Sequence, residues 1–145
     1  MIVTALLATE IARVAHGMSE SVILVDEILS IDHRAFESVL FVGDEEFRTT
    51  KDGPFPNHQM RISSSPVRNF AALNYMDNDD AMPIANSYNP ARPVPEFDLI
   101  FNGTTGTVFP RTALIGISRA REAVLEWLET RKRPTCIEWR PYDQY

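Results

Sequence analysis

The feature that most restricts how this chain can fold is an amphipathic helix in its last quarter. Apolar residues recur there at helical spacing and form one stripe, which comprises Ala120, Ala123, Val124, Trp127 and Leu128. Ser118 is placed to cap the start of the helix and Pro134 to end it, while the basic run 131–133 complements the helix dipole. Because a helix with one apolar face needs a layer to pack against, we expect it to lie on a sheet.

Upstream of the helix, residues 2–15 are mostly apolar and residues 36–42 are rich in β-branched and aromatic types, while residues 135–139 after it alternate in polarity, and these patterns predict strands. Residues 2–15 fit a strand or, alternatively, a helix, and a short helix capped by Ser19 or Ser21 should run to Ile31. Further strands are expected over residues 36–42, 58–63, 69–76, 82–88, 96–102 and 135–139. This order predicts an α+β fold, with a mainly antiparallel sheet, a helix near each end packed on it and a closing C-terminal strand. We expect residues 1–145 to form a single domain.

No arrangement of residues in the sequence predicts catalysis or metal binding. The run Asp77–Asp80 lacks the glycine and the glutamate that a calcium loop needs at its sixth and twelfth positions. Ser63–Ser65 lacks the glycines of a nucleophile elbow, and the lone Cys136 fits a small buried residue better than a reactive thiolate. The three histidines lack the short helical spacing typical of zinc ligands: His16, His33 and His58. We therefore expect no catalytic residue, no metal and no cofactor.

The charge of the chain argues against nucleic acid as a direct partner. The net charge is −6, and residues 1–100 carry fifteen acidic but only seven basic side chains. Affinity for nucleic acid depends on Lys and Arg displacing counterions, so an acidic surface favours a basic protein partner instead. No apolar run is long enough to cross a bilayer, the first residues lack the basic start of a signal peptide, and one cysteine fits a reducing compartment. We expect a cytoplasmic protein without membrane contact.

Two acidic clusters and the aromatic residues beside them are candidates for contact with such a partner. The first cluster opens a loop over residues 44–57, and the second forms the turn after the strand at 69–76. Solubility alone is the competing explanation for either cluster. The candidate contact residues are Asp44, Glu45, Glu46, Phe47, Phe55, Asp77, Asp79 and Asp80. Structural roles are expected for Trp127, Pro134 and Trp139.

The C-terminal third carries a set of motifs that together resemble a known family. Val108–Ile115 provides a Phe-Pro strand entry, Ala120–Thr130 the amphipathic helix, and Arg133–Trp139 an Arg-Pro pair and a strand closed by Trp. Upstream, Ala72–Asp77 is similar to the family's central hairpin. The stretch from 70 to 139 thus resembles immunity protein family one, whose members are encoded beside bacterial polymorphic toxins. The family usually has Gly after the helix where this chain has Arg131, so either Arg131 adopts a left-handed cap or the helix ends differently.

This resemblance implies a cytoplasmic inhibitor with no catalysis of its own. It would bind a cognate toxin domain, often a nucleic-acid deaminase, and cover its active site or substrate groove. The acidic residues would bind the basic surface with which the toxin contacts the phosphates of its substrate, and a few buried apolar or aromatic side chains would supply most of the affinity. Two other classes stay open, namely an acidic adaptor that binds a host protein and a small enzyme or ligand-binding domain with a pocket between sheet and helices.

Overall fold

The structure is a computed structural model that describes residues 1–9, 11–46 and 58–142. Two strands, β1 (Ile2–Leu6) and β2 (Ala12–His16), pair as an antiparallel hairpin, where a single strand or a helix was expected over residues 2–15. The N–H of Leu7 donates to the carbonyl of Ile11 at 2.9 Å and closes the turn. The sequence does not predict this turn, because Ala8 and Thr9, its described residues, are not among the residue types typical of tight turns, namely Gly, Pro, Asn and Asp.

The helices and the remaining expected strands follow the predicted order along the chain, and two strands of two residues each, at 107–108 and 115–116, are additional. They are α1 (Gly17–Leu29), β3 (Ser38–Gly43), β4 (His58–Ser65), β5 (Phe70–Asp77), β6 (Ile84–Tyr88), β7 (Ile100–Asn102), β8 (Thr107–Val108), β9 (Ile115–Gly116), α2 (Ile117–Thr130) and β10 (Glu138–Pro141). A single 3₁₀ turn, Arg111–Ala113, precedes β9.

Eight of these strands form one open antiparallel sheet. Its order is β10-β6-β5-β4-β3-β1-β2, with β9 paired to the start of β5. β4 and β5 pair along their whole length, from His58 opposite Asp77 to Ser65 opposite Phe70, and form the centre of the sheet. The expected α+β architecture with a mainly antiparallel sheet and a closing C-terminal strand is confirmed.

Both helices pack on the same face of the sheet, where they form the main core. α1 contributes Leu24, Val25 and Ile28 to this core, and α2 contributes Val124 and Trp127. Their partners are alternate residues of the central strands, because successive side chains of a strand point to opposite faces. These partners include Leu40, Met60, Ile62, Leu73 and Tyr75. The stripe identified in the sequence is therefore the buried face of α2.

A smaller apolar cluster covers the other face of the sheet. Ala72 lies on β5 between two residues of the main core, so its side chain points to the opposite face. The segment containing β7 and β8 packs against it and forms a second core from Leu99, Phe101, Phe109, Ala113 and Leu114. The expected strand over residues 96–102 is shorter than predicted, since only Ile100–Asn102 is paired.

Both helices begin and end at positions that differ from those expected. α1 begins at Gly17, and neither Ser19 nor Ser21 caps it. α2 begins at Ile117, so Ser118 lies inside it, and no side chain caps its first turn. It ends at Thr130, because Arg131 adopts the left-handed conformation (φ 55°) and reverses the chain before Pro134 is reached.

Candidate functional site

Three elements of the fold end at the same edge of the sheet. β3 and β5 both run toward this edge because each is antiparallel to β4, which lies between them and starts there. The C-terminal end of α2 comes to the same place, since Trp127 contacts His58 at the start of β4. We call this region the charged edge and define it as residues 43–46, His58, 77–80 and 131–133.

The turn after β5 is built around the buried carboxylate of Asp77. One oxygen of this carboxylate accepts a hydrogen bond from the hydroxyl of Tyr75 at 2.7 Å, and the other accepts one from the N–H of Asp79 at 2.9 Å. Burial and the bond to Asp77 raise the pKa of Tyr75, so its phenol stays protonated and remains a donor. Asp77 is only 7% exposed, so it positions the turn and presents little surface to a partner.

Each acidic cluster of the charged edge is paired with a basic residue from the end of α2. Arg131 contacts Asp44 at 3.0 Å and also donates to the carbonyl of Gly43. Arg133 contacts Asp80 at 2.8 Å in the more buried of the two pairs. The left-handed conformation of Arg131 directs the chain back across the edge, which places the basic run between the two clusters. The surface is therefore of mixed charge, and the sequence predicted only its acidic part.

His58 connects the charged edge to the main core. Its Nδ1 accepts a hydrogen bond from the indole N–H of Trp127 at 3.0 Å, which requires a neutral imidazole with its proton on Nε2. Burial lowers the pKa of His58, Asp77 and Asp79 oppose this shift, and Arg131 adds to it. The neutral ring thus anchors the start of β4 to α2.

A polar cleft of about 500 Å³ lies at the charged edge. Acidic side chains from the β5–β6 turn form one wall, and basic side chains after α2 form the other. Its lining residues are His58, Asp77, Asp79, Asp80, Arg131, Lys132, Arg133 and Thr135. A cleft that offers both donors and acceptors can bind polar side chains of either charge, and it lacks the mostly apolar lining of a site for a small organic ligand.

The residues expected to contact a partner lie in three different settings. Asp44, Glu45, Glu46 and Asp79 are exposed at the charged edge. Asp77 is buried, and Asp80 is largely buried in its pair with Arg133. Phe47 and Phe55 lie outside the described residues.

The structural residues named from the sequence lie on α2, on β10 and in the segment between them. Trp127 is fully buried, and Pro134 is buried beyond the end of α2. Trp139 is partly exposed, with its ring against Tyr75 and its indole N–H donating to the carbonyl of Pro134 at 2.8 Å.

His58 and the run 131–133 were not predicted from the sequence as parts of this site. The basic residues were expected only to complement the dipole of the helix. One available signal was the charge distribution, because the last 45 residues carry seven basic and five acidic side chains beside a strongly acidic remainder.

A second polar network, which we call the His33 network, lies at the other end of β4. The Nδ1 of His33 accepts from the N–H of Ser64 at 3.0 Å, and Nε2 lies 2.8 Å from the hydroxyl of Ser38. Burial lowers the pKa of His33, against smaller opposing effects from Ser64, Ile31 and nearby acids. Ser64 is also within 2.9 Å of the ring but is fully buried, so a substrate could not reach it as a nucleophile.

Other reactive groups in the described ranges give no sign of a catalytic centre. Burial raises the pKa of the Cys136 thiol to about 11, and the nearby Glu126 adds to the effect, so the thiolate is disfavoured. Among residues 1–9, 11–46 and 58–142, no three His, Cys, Asp or Glu side chains are grouped to hold a metal ion. None of the helices in this part of the chain has the length and hydrophobicity of a membrane-spanning segment.

The fold and site define an α+β domain with an open antiparallel sheet, two helices on one face and a charged edge suited to polar contacts with another macromolecule. The sequence model of immunity protein Imm1 matches residues 9–141. The chain therefore belongs to the Imm1 immunity protein family. This membership implies binding of a cognate toxin protein, and the role of an inhibitor rather than an enzyme. No individual curated protein matches the sequence.

Proposed function

We propose that the chain acts as a single immunity-protein domain in the cytoplasm and neutralises the toxin domain of a polymorphic toxin system. The toxin we propose is a nucleic-acid deaminase with a basic surface, and the chain covers its active site or substrate groove. The family match over residues 9–141 is the observation that carries this proposal. The charged edge is the surface we propose for the contact.

The exposed acids of the charged edge supply the long-range part of recognition. Asp44, Glu45 and Glu46 lie at the charged edge together with Asp79, although Asp79 is more than thirty residues away from them in sequence. An enzyme that binds nucleic-acid phosphates has a positively charged surface, and these acidic side chains can bind that surface in place of the substrate. They would raise the association rate and select a basic partner.

The mixed charge of the cleft supplies the short-range part of recognition. Asp80 is already held by Arg133, and Asp77 is held by Tyr75, so neither needs to reorganise when a partner arrives. Preorganised groups lose less conformational entropy on binding, which raises affinity and specificity. The basic wall also rejects a partner that presents only positive charge close to Arg131, which makes the edge selective among basic proteins.

The experiment that tests this proposal is capture of the tagged chain from its own host, with the retained protein identified by mass spectrometry. We expect a stoichiometric partner that contains a small basic toxin domain. The isolated toxin domain should deaminate DNA or RNA, and an equimolar amount of the chain should abolish that activity. A toxin with another chemistry would overturn the deaminase assignment, and a stoichiometric housekeeping partner would favour an adaptor role instead.

A further inference from the structure

The two lateral edges of the main sheet differ in how they are protected. β10 forms one edge, and its four residues include Glu138, Arg140 and Pro141, which are charged or unable to donate a hydrogen bond. Charged residues and proline are common devices that stop an edge strand from pairing with another chain. β2 forms the other edge with the sequence Ala-Arg-Val-Ala-His, which has a single charged residue, no proline and a regular register with β1.

The backbone of β2 offers hydrogen-bonding groups on its outer side. Gly17 donates to the carbonyl of Met1, and Leu7 donates to that of Ile11, which fixes the alternation of bonded pairs along the hairpin. By this alternation, Arg13 and Ala15 bond to β1, whereas the N–H and C=O of Ala12 and Val14 point away from it. Within the described residues, no other strand pairs with this outer side.

An exposed apolar side chain of α1 lies beside the same strand. Ile23 is 70% exposed, and it lines a groove of about 200 Å³ between α1 and β2 together with Val14 and Leu24. Ile23 is the central residue of α1, and Val14 is the central residue of β2. A two-fold axis beside Val14 would therefore bring the open strand and the exposed face of the helix into contact with their own copies at the same time.

We propose that β2 pairs antiparallel with the β2 of a second copy of this chain, with Val14 opposite Val14 at the two-fold axis. In this register, the outward N–H of each Val14 donates a hydrogen bond to the outward C=O of the other Val14. Each Ala12 then lies opposite the His16 of the other copy. Both copies of α1 then lie on the same face of one continuous sheet, with their Ile23 side chains in contact. The proposal is independent of the proposed function, because β2 does not contribute to the charged edge.

In this register, a basic side chain beside β2 of one copy lies close to an acidic side chain of the other copy. Arg13 forms an ion pair with Glu27 at 3.5 Å near one end of the groove. Glu20 lies near the other end, where one of its carboxylate oxygens accepts a hydrogen bond from the N–H of His16. The antiparallel register places Arg13 of each copy opposite Ala15 of the other, on the helix side of the sheet and close to Glu20. Each copy therefore gains an Arg13–Glu20 pair across the interface, which favours a second copy over a peptide of arbitrary sequence.

The test is the oligomeric state of the full chain, measured by sedimentation equilibrium over a wide concentration range. We expect a reversible dimer that dissociates on dilution, because one strand and one helix face form a small interface. Val14→Pro removes an outward N–H without affecting the bonds to β1, and Ile23→Glu places a charge at the two-fold axis, so both variants should be monomers. Val67→Glu is the matched control, since Val67 is 92% exposed in the β4–β5 turn, and it should leave the dimer unchanged. Thermal melting checks that each variant is folded.

A charge exchange tests the register itself. Glu20→Arg and Arg13→Glu each place like charges opposite one another in a homodimer, so each variant alone should be monomeric. An equimolar mixture of the two should form a heterodimer, because every Arg then faces a Glu. A parent chain that is monomeric at all concentrations, a dimer that survives Val14→Pro, or a mixture that stays monomeric would overturn the proposal.

Discussion

The two ends of β4 show how the same kind of side chain serves different purposes in one molecule. At one end, the His33 network is closed to solvent, and every partner of the ring belongs to the fold. At the other end, His58 is held by Trp127 on its inner side and lines the cleft of the charged edge on its outer side. The comparison indicates that the polar groups around His33 are enclosed by the fold, whereas those around His58 are partly open to the cleft.

The largest effect that distinguishes the two ends is expected from His33→Ala. This substitution removes the acceptor of the Ser64 N–H and leaves the Ser38 hydroxyl with only its bond from the N–H of Ala8, in a buried site, and it creates a cavity. We expect a loss of about 3 kcal/mol in the free energy of unfolding, measured by urea denaturation. His16→Ala is the matched control, because His16 is exposed and its loss should change stability by less than about 0.5 kcal/mol.

The same substitution at His58 should cost less. His58→Ala removes the acceptor of the Trp127 indole N–H, but the adjoining cleft is wide enough for water to replace it. We expect a loss of about 1 kcal/mol in the same denaturation measurement. A loss equal to that of His33→Ala would contradict the account that water can replace the imidazole at His58 but not at His33.

The dependence of stability on pH should follow from the two neutral histidines. The pKa values of His33 and His58 are both below the ordinary value of 6.5 in the folded chain, so the unfolded chain binds more protons below that pH. The free energy of unfolding should therefore fall as the pH drops below 6.5, with each histidine contributing at most about 1.4 kcal/mol per pH unit. His33→Ala should make this pH dependence shallower. An unchanged profile in that variant would contradict a neutral His33.

The last comparison of stability concerns the ion pairs. The pair of Arg133 and Asp80 is mostly enclosed, with side-chain exposures of 29% and 17%, so Arg133→Ala should reduce the free energy of unfolding by about 1 kcal/mol. The pair of Arg111 and Asp98 is about half exposed, and Arg111→Ala should have almost no effect. Equal losses in thermal melting would show that the charged edge is not preorganised by this pair.

Much of the fold could be predicted from local patterns in the sequence. The stripe that contains Trp127 predicted α2 because it recurs at the period of a helix, and the β-branched and aromatic residues at 36–42 predicted β3. The hairpin of β1 and β2 could not be predicted, since its turn lacks the usual turn residues. The left-handed cap at Arg131 was one of two outcomes inferred from the missing glycine, and the structure adopts it.

The site was harder to predict than the fold because it is assembled from distant segments. Asp80 and Arg133 are 53 residues apart, and only the packing of α2 on the sheet brings them together. Asp77 follows Tyr75 on the buried face of β5, but the strand was expected to end at residue 76, so the burial of this carboxylate was not predicted. The sequence could identify the acidic clusters, but their pairing with residues 131–133 depends on tertiary structure.

The association rate of the toxin with charge-reversed variants tests the role of the charged edge most directly. Asp44→Lys combined with Asp79→Lys changes two exposed acids of the edge, and Glu96→Lys combined with Glu138→Lys makes the same change in net charge away from it. At low salt, the edge variant should bind the toxin about tenfold more slowly and with a weaker salt dependence, while the control variant stays within about twofold of the parent. Equal slowing of both variants, or no slowing of the edge variant, would contradict the assignment of the charged edge as the toxin-binding surface.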